Sequence, residues 1–497
     1  MKNKKLLNLP SKNNNKISIY FWVLLILIIL LGSFLRVFEL SKQSIWNDEA
    51  YTIELVMKSS FTELLIGKKA DPGIPPIYIL FFKIWTDLFG YEKYIVRIPS
   101  VIFGIASIYV IFIFAKYLFD TKLALLSAFL LAISPFHIYL SQMVRPYSLV
   151  ILLSLFALFF FVRFFFCREN SLSDLFWCNL FLLLLSYTHY LSVIMIITFN
   201  MFLLLTTRGI KLKKWLISQL ILASLLLPLL LFLLKGLQQG GGARSFFNPM
   251  EVAYLFLVYS IGEAGFVFKV SNIMVAIKEN FLFLLINLII FSTILTLFLR
   301  RWFLFERKNK KINLILFYFF CPLVILFLIS FFYPLFRPRY LSYIYPGFII
   351  LLSKGIISIK KKYISLILLL GLLLSTFFLL YSYYFEYKRE PWEEICQYIG
   401  SNEEPNEAIV STRTHPLRYC YSGSLKIYFI DFNKSNILNK KGVWLVFANY
   451  QQSYAVESDE IKDFLVENFN LDSTHYFRDD SNEISGDMIV YHFINKK

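Results

Sequence analysis

Long apolar runs separated by short charged breaks fill most of the chain, and the runs share one size. A helix needs roughly 20 apolar residues to cross a bilayer. Runs near that length occur at Ile17–Val37, Tyr94–Tyr117, Leu123–Leu140 and Tyr147–Phe166. The stretch Leu175–Leu205 is too long for one crossing and is interrupted by Ser186-Tyr187-Thr188-His189, which predicts two short helices. Trp215–Leu234, Phe281–Leu299, Leu314–Phe332, Leu341–Ile357 and Tyr363–Tyr384 bring the expectation to about eleven spans. Val252–Val270 is apolar as well, but Glu263 and Lys269 interrupt it, so it is read as a helix along the outer surface.

From Glu386 onward the long runs stop and charges, Asn and Ser rise. Ala408–Ser411 and Val443–Ala448 read as short buried strands, and Trp392–Ile399 and Asp459–Asn468 as amphipathic helices. The expected fold class is an all-α polytopic membrane protein with a small C-terminal α/β domain. The expected division is 1–385 for the membrane part, with a long first loop at 38–93, and 386–497 for the outer domain, a size on which a core can form.

Composition agrees. Of 497 residues, 58% are hydrophobic and 17% charged, against about 25% charged in soluble domains, and the mean hydropathy is +0.61. A soluble enzyme, a disordered chain and a disulfide scaffold are excluded. The net charge of +17 sits in clusters between apolar runs, where it orients a membrane protein, and no nucleic-acid-binding motif accompanies it. With the basic N-terminus inside and its first helix retained, the predicted inner loops carry Lys116 and Lys122, Arg163 and Arg168, Arg208–Lys214, Arg300–Lys311 and Lys354–Lys362. That arrangement places the C-terminal domain outside. In the outer domain, spacing alone leaves Cys396 and Cys420 equally readable as a disulfide or as two buried thiols.

The polar chemistry gathers in the predicted outer loops. The first contains Trp46-Asn47-Asp48-Glu49-Ala50-Tyr51-Thr52 and, further on, Asp71-Pro72-Gly73-Ile74-Pro75-Pro76-Ile77-Tyr78. Ser41–Lys58 and Pro75–Phe89 suit interfacial helices. Later loops read Gln142-Met143-Val144-Arg145, Tyr187-Thr188-His189-Tyr190, a Gly-rich segment ending at Arg244, and Arg337-Pro338-Arg339-Tyr340. Arginine presents a planar fork of donors to phosphate oxygens, and a carboxylate can take a proton from an attacking hydroxyl. Acids and arginines at a water–lipid boundary therefore suit transfer from a lipid-held phosphate to a polar acceptor. Each residue also has a structural reading. Asp48 and Glu49 suit the first turn of a helix, the arginines suit interfacial anchors, and His137 and His189 suit hydrogen-bonded structural positions. No pair of histidines has metal-ligand spacing, and the glycine run lacks the rest of a phosphate-binding loop.

With these motifs in order, WNDEAYT, PPIYILFFKIW, RIPSVIFG, SPFHIYLSQMVRPYSL, YTHY and RYLSYIYPG, the chain resembles the bacterial membrane glycosyltransferases of the protein-O-mannosyltransferase type (family 39), a group that includes the aminoarabinose transferase of lipid A. The resemblance covers about Ile17 to Ile357. It implies a GT-C fold and a polyprenyl-phosphate-linked sugar donor in the inner membrane. It also implies a lipid, glycan or protein acceptor on the outer side, an inverting reaction, and no cofactor. Some GT-C enzymes use a divalent metal, whereas this type is held not to need one. The catalytic aspartate falls on Asp48, with Glu49 beside it. Candidate donor-phosphate and substrate contacts are Arg339, Arg145, Arg337, Tyr340, His189 and Tyr78. Two departures stand out: Ile74 occupies a place where many relatives have His or Lys, and Gln142-Met143-Val144 lacks the acid often found before the arginine. The alternative is a transporter or flippase of lipid-linked saccharides, which would place ionisable residues at mid-membrane or show repeats. A non-catalytic sensor is a third reading.

Overall fold

The computed structural model describes residues 15–71, 73–166, 171–239, 248–262, 281–333, 335–386, 390–430, 433–448, 455–477 and 488–496. The first predicted run forms α1 (Asn15–Val37). The first loop folds into α2 (Asn47–Met57), α3 (Phe61–Leu65) and α4 (Pro76–Phe89). The bundle continues with α5 (Lys93–Leu118), α6 (Thr121–Ile133), α7 (Pro135–Ser141), α8 (Tyr147–Phe166), α9 (Leu172–Ser186), α10 (Val193–Thr206), α11 (Ile210–Gln239) and α12 (Met250–Ile261). It ends with α13 (Phe281–Arg301), α14 (Lys310–Ser330), α15 (Tyr345–Ser358) and α16 (Lys362–Tyr381), a 3₁₀ turn at Pro338–Ile344 preceding α15.

Eight helices among the described residues are long and apolar enough to cross a membrane, and a ninth crossing is made if the bent pair α6–α7 counts as one. The protein is a multi-pass membrane protein. Among the described residues the expected count of about eleven spans is therefore not reached: α9 and α10 are the two short helices expected in Leu175–Leu205, but they are among the shorter apolar helices. With 15 and 14 residues, they reach about 21–23 Å, short of the roughly 30 Å hydrocarbon core.

Three sequence expectations change. The run Leu123–Leu140 is not one straight helix: α6 and α7 meet at 60°. Pro135 has no N–H to continue α6 and its ring clashes with the preceding turn, while the Ser134 hydroxyl caps α7 by accepting from the His137 amide at 3.1 Å. Freed carbonyls inside an apolar bundle need donors. Arg36 supplies them, giving hydrogen bonds to Ala132 O (2.9 Å) and Leu131 O (3.1 Å) and a third to His137 Nδ1 (2.6 Å). This close approach depends on Gly104, where an added Cβ would sit 2.2 Å from Ser141 Oγ. The second change concerns Val252–Val270. Its described part, α12, packs into the bundle with Leu255, Val258, Tyr259 and Ile261 buried, and Tyr259 donates to Leu341 O at 2.7 Å. The rest of that run, like Arg244, lies outside the described residues. Third, the predicted interfacial helix Ser41–Lys58 starts only at Asn47, because Arg97 holds the preceding chain irregular by donating to the carbonyls of Leu40, Gln43 and Ser44.

The first loop has its own small core, in which Ile45, Ala50, Ile53, Ile74, Tyr78 and Phe82 are buried together. Beyond the bundle, α17 (Trp392–Asn402), α18 (Thr414–Cys420), α19 (Ser435–Leu438) and α20 (Ala455–Asn468) flank a five-stranded sheet. Its strands are β1 (Ala408–Ser411), β2 (Lys426–Phe429), β3 (Gly442–Ala448), β4 (Phe469–Phe477) and β5 (Met488–Asn495), in spatial order β2-β1-β3-β5-β4. β1 runs parallel to both β2 and β3, and β5 runs antiparallel to both β3 and β4. Cys396 and Cys420 are disulfide-bonded, with Cα atoms 6.0 Å apart, which ties α17 to α18.

Candidate active site

The polar segments that the sequence scatters over 300 positions meet at one end of the bundle. Ile77 N donates to Tyr187 O at 3.1 Å, which joins the first loop to the α9–α10 hairpin. The His189 ring lies 5.8 Å from the Tyr340 ring, and Arg339 faces Asp48. The basic segments meet at the other end. Lys211 donates to Phe165 O there, and Glu306 receives both Arg301 and Lys354.

Trp46 opens α2 and its amide donates to Glu49 Oε2 at 3.3 Å, so the first turn is capped by its own acid. Asp48 and Glu49 therefore both occupy the first helical turn, where the helix dipole favours negative charge, but successive helix positions point about 100° apart and the two acids part company. Glu49 is fully buried. It accepts from Val144 N (2.7 Å) and Arg97 Nη2 (3.3 Å), which locks α2 to α5 and to the segment before α8. Asp48 is about one-third exposed and turns to Arg339, Oδ2 lying 3.7 Å from Nη2. The Arg339 guanidinium rests between rings, 5.1 Å from the centre of Trp46 and 5.7 Å from that of Tyr340. At 3.7 Å the pair is a charge contact and not a hydrogen bond, so donors of the arginine fork remain available to a ligand.

Arg145 is placed differently. It is buried and donates through Nη1 to Thr52 Oγ1 (2.9 Å), Asp48 O (3.3 Å) and Asp71 Oδ2 (3.3 Å). Burial acts against its charge, but Asp71, Tyr147 and Asp48 together more than offset this and hold its pKa above the ordinary value. Asp71 Oδ1 in turn accepts from Gly73 N at 2.7 Å, closing a tight turn. Arg145 is thus a clasp between α2 and the second arm of the loop, already matched by an acid. Asp71 is the site residue that sequence reasoning missed. Its D-P-G context signals a turn, which hid its second role. The acid missing before Arg145 in sequence is supplied from the first loop.

The remaining candidates divide. His189 is buried beside Tyr147 and Tyr340, with no hydrogen-bond partner at Nδ1. Burial, reinforced by the Arg145 charge, pulls its pKa to about 4, so it is a neutral group at pH 7. Tyr340 lines the same aromatic wall. Tyr78 is buried, its ring stacked on Phe82. Arg337 is exposed and lies near Glu251, so it does not join Asp48. Ile74 is buried in the first-loop core, which is why it has no polar role. Among the described residues, no three of His, Cys, Asp and Glu gather closely enough to hold a metal ion.

A bent-helix bundle topped by a small α/β domain, with an acid facing an arginine at its mouth, has a GT-C-like fold, and the comparisons agree. Residues 74–233 match the family model of dolichyl-phosphate-mannose-protein mannosyltransferases, so the likeness to the family 39 glycosyltransferases read in the motifs holds. The fold is similar to that of ArnT from Cupriavidus metallidurans, solved with bound undecaprenyl phosphate (11% identity, 95% of this chain and 98% of that one, TM-score 0.56). It is also similar to that of the oligosaccharyltransferase AglB from Archaeoglobus fulgidus, solved with an inhibitory peptide and a dolichol-phosphate (12% identity, 86% and 69%, TM-score 0.53). No curated protein matches the sequence.

Proposed function

We propose that the protein moves a sugar from a polyprenyl-phosphate donor to a lipid, glycan or protein acceptor on the extracytoplasmic side of a bacterial inner membrane. The observation that carries this reading is the facing of Asp48 and Arg339 in an aromatic mouth at the end of an apolar bundle. The acceptor hydroxyl attacks the anomeric carbon from the side opposite the phosphate, and Asp48 takes its proton. The carbon–oxygen bond to phosphate breaks with its electron pair going to the phosphate oxygen, and the configuration inverts. Arg339 balances the charge that accumulates there. As written, the reaction runs without a metal ion. Glu49 and Arg145 hold α2 in place and do not touch substrate. Tyr340, His189 and Tyr147 shape the mouth.

Two further facts support the reading. ArnT and AglB, the similar structures, bind undecaprenyl phosphate and a dolichol-phosphate. An apolar recess of about 200 Å³ between helices, lined by Phe256, Phe291, Phe298, Phe319 and Phe348, offers room for part of a lipid tail.

The test is an assay of the protein in vesicles with polyprenyl-phosphate sugars and an envelope acceptor fraction. Release of polyprenyl phosphate with sugar covalently on the acceptor is expected. Movement of the lipid-linked saccharide across the bilayer with no bond broken would replace transfer by transport.

The convergence of the basic loops on the end opposite the site supports this orientation. Gly400→Cys, at an exposed position with nothing within 4 Å of an added Cβ, should react with an impermeant thiol reagent from outside intact cells. Lys308→Cys should react only after permeabilisation. The reverse labelling pattern would turn the molecule over and end the extracytoplasmic assignment.

A further inference from the structure

The helix α2 has a second polar face. Glu54 lies six residues beyond Asp48, which places it about 9 Å along the helix and roughly 120° around it. Asp48 and Thr52 face the bundle, where Arg145 and Arg339 meet them. Glu54 faces the C-terminal domain. Its carboxylate accepts from His415 Nδ1 at 2.6 Å and Arg418 Nη1 at 3.1 Å, both on α18, and pairs with Lys58, the residue just past the end of its own helix. Tyr51, one turn earlier, sets its ring edge-on against His415 at 5.0 Å. Burial works against the Glu54 charge, but the hydrogen bonds from His415 and Lys58 and the nearby Arg418 pull its pKa down to about 2, so the carboxylate is ionised throughout the working range.

The junction is not closed by apolar packing alone. A cleft of about 520 Å³ opens between the same two walls, lined in part by Met57, Lys58, Tyr421 and Leu425. Other links attach the domain elsewhere. Lys93 pairs with Glu393 at 2.7 Å and Tyr419 donates to Tyr91 O at 3.1 Å. Loss of the Glu54 contacts therefore leaves the domain docked on the far arm of the loop and loosens only its grip on the outer face of α2, whose bundle face stays held by Glu49 and Arg145.

We infer that Glu54 is a positioning residue for transfer: clasped by His415 and Arg418, it makes the C-terminal domain part of the device that holds α2, and with it Asp48, at the reacting hydroxyl. This rests on the reading of Asp48 as the base. A displacement near 1 Å of a positioned group can cost on the order of 10²-fold in rate, whereas Glu54, itself 14% exposed, meets partners that are 30–63% exposed, and ion pairs with solvated partners add little to stability. The expected signature is thus catalytic loss in a stable protein.

The experiment compares Glu54→Gln, Arg418→Glu and the double exchange Glu54→Arg/Arg418→Glu in the full chain, using the vesicle transfer assay. Each single variant should lower kcat by roughly tenfold or more, with the donor KM within about twofold of the parent and an unchanged melting temperature. The double exchange, which restores opposite charges across the junction, should recover most of kcat. An unchanged kcat in Glu54→Gln would overturn the inference. So would a loss that follows a lowered melting temperature and is not rescued by the exchange, because that is a merely structural role. Asp48→Asn is assayed alongside: full activity there removes the base assignment whatever Glu54 does, so the two failures are told apart.

Discussion

Asp48→Asn is expected to lower sugar transfer by roughly 10²–10⁴-fold, the range that general-base catalysis contributes, while leaving insertion and stability near those of the parent. The amide keeps the shape of the side chain and loses only the ability to accept a proton. Asp48 is one-third exposed and its side chain makes one 3.7 Å charge contact, so little folding energy depends on it. Its neighbour gives the control. Glu49 is buried against Arg97 and two backbone amides, and removing one partner of a buried pair costs about 3–5 kcal/mol because the other charge is left uncompensated. Glu49→Gln should therefore lower the melting temperature first. The pair separates chemistry from scaffold at adjacent positions. Near-parental turnover in Asp48→Asn would take it out of the mechanism.

How far such assignments can be read from sequence varies from element to element. The spans were legible because lipid imposes long apolar runs, and even the short pair α9–α10 showed through its polar break. The bend at Ser134–Pro135 was not, although the proline was in view. A proline in a membrane helix can be absorbed, and here Arg36, a hundred residues away, supplies the donors that make a break tolerable. In the C-terminal domain, β1 and β3 were readable because they sit inside the sheet and are apolar except for Ser411. β4 was missed because it is an edge strand whose middle residues, Asn470–Tyr476, are mostly exposed and polar. β2, at the other edge, has only four residues. In the site, Asp48 and Arg339 stood out singly, but their facing each other depends on the whole bundle lying between them. Asp71 was readable only as a turn former, since nothing local reveals that its second oxygen meets Arg145. Arg145 and Arg339 looked alike in sequence, each in an outer loop just before an expected helix. What distinguishes them is that Arg145 has found three acceptors at Nη1, one of them the acid Asp71, whereas Arg339 has ring faces and one distant carboxylate.

That difference sets the second large effect. Arg339→Lys keeps the positive charge and loses the planar fork and its stacking on aromatic faces, which an ammonium does not reproduce. If Arg339 grips the donor phosphate, its contribution grows as charge collects on the leaving oxygen, so the loss should fall on kcat as well as on KM. Loss of one such donor group typically costs on the order of 10²–10³-fold in kcat, and Arg339→Lys is expected toward the lower end because charge is retained. Arg145→Lys provides the contrast. A lysine there still faces Asp71, but its shorter side chain stops before the place where Nη1 meets Thr52, the Asp48 carbonyl and Asp71, so that variant should lose stability together with rate. The measurement is steady-state kinetics of both variants with a polyprenyl-phosphate sugar, alongside their melting temperatures. A stable Arg339→Lys protein with parental kcat and KM would make Arg339 an interfacial anchor held between Trp46 and Tyr340. The phosphate would then have to be met by another cation at the same end of the bundle.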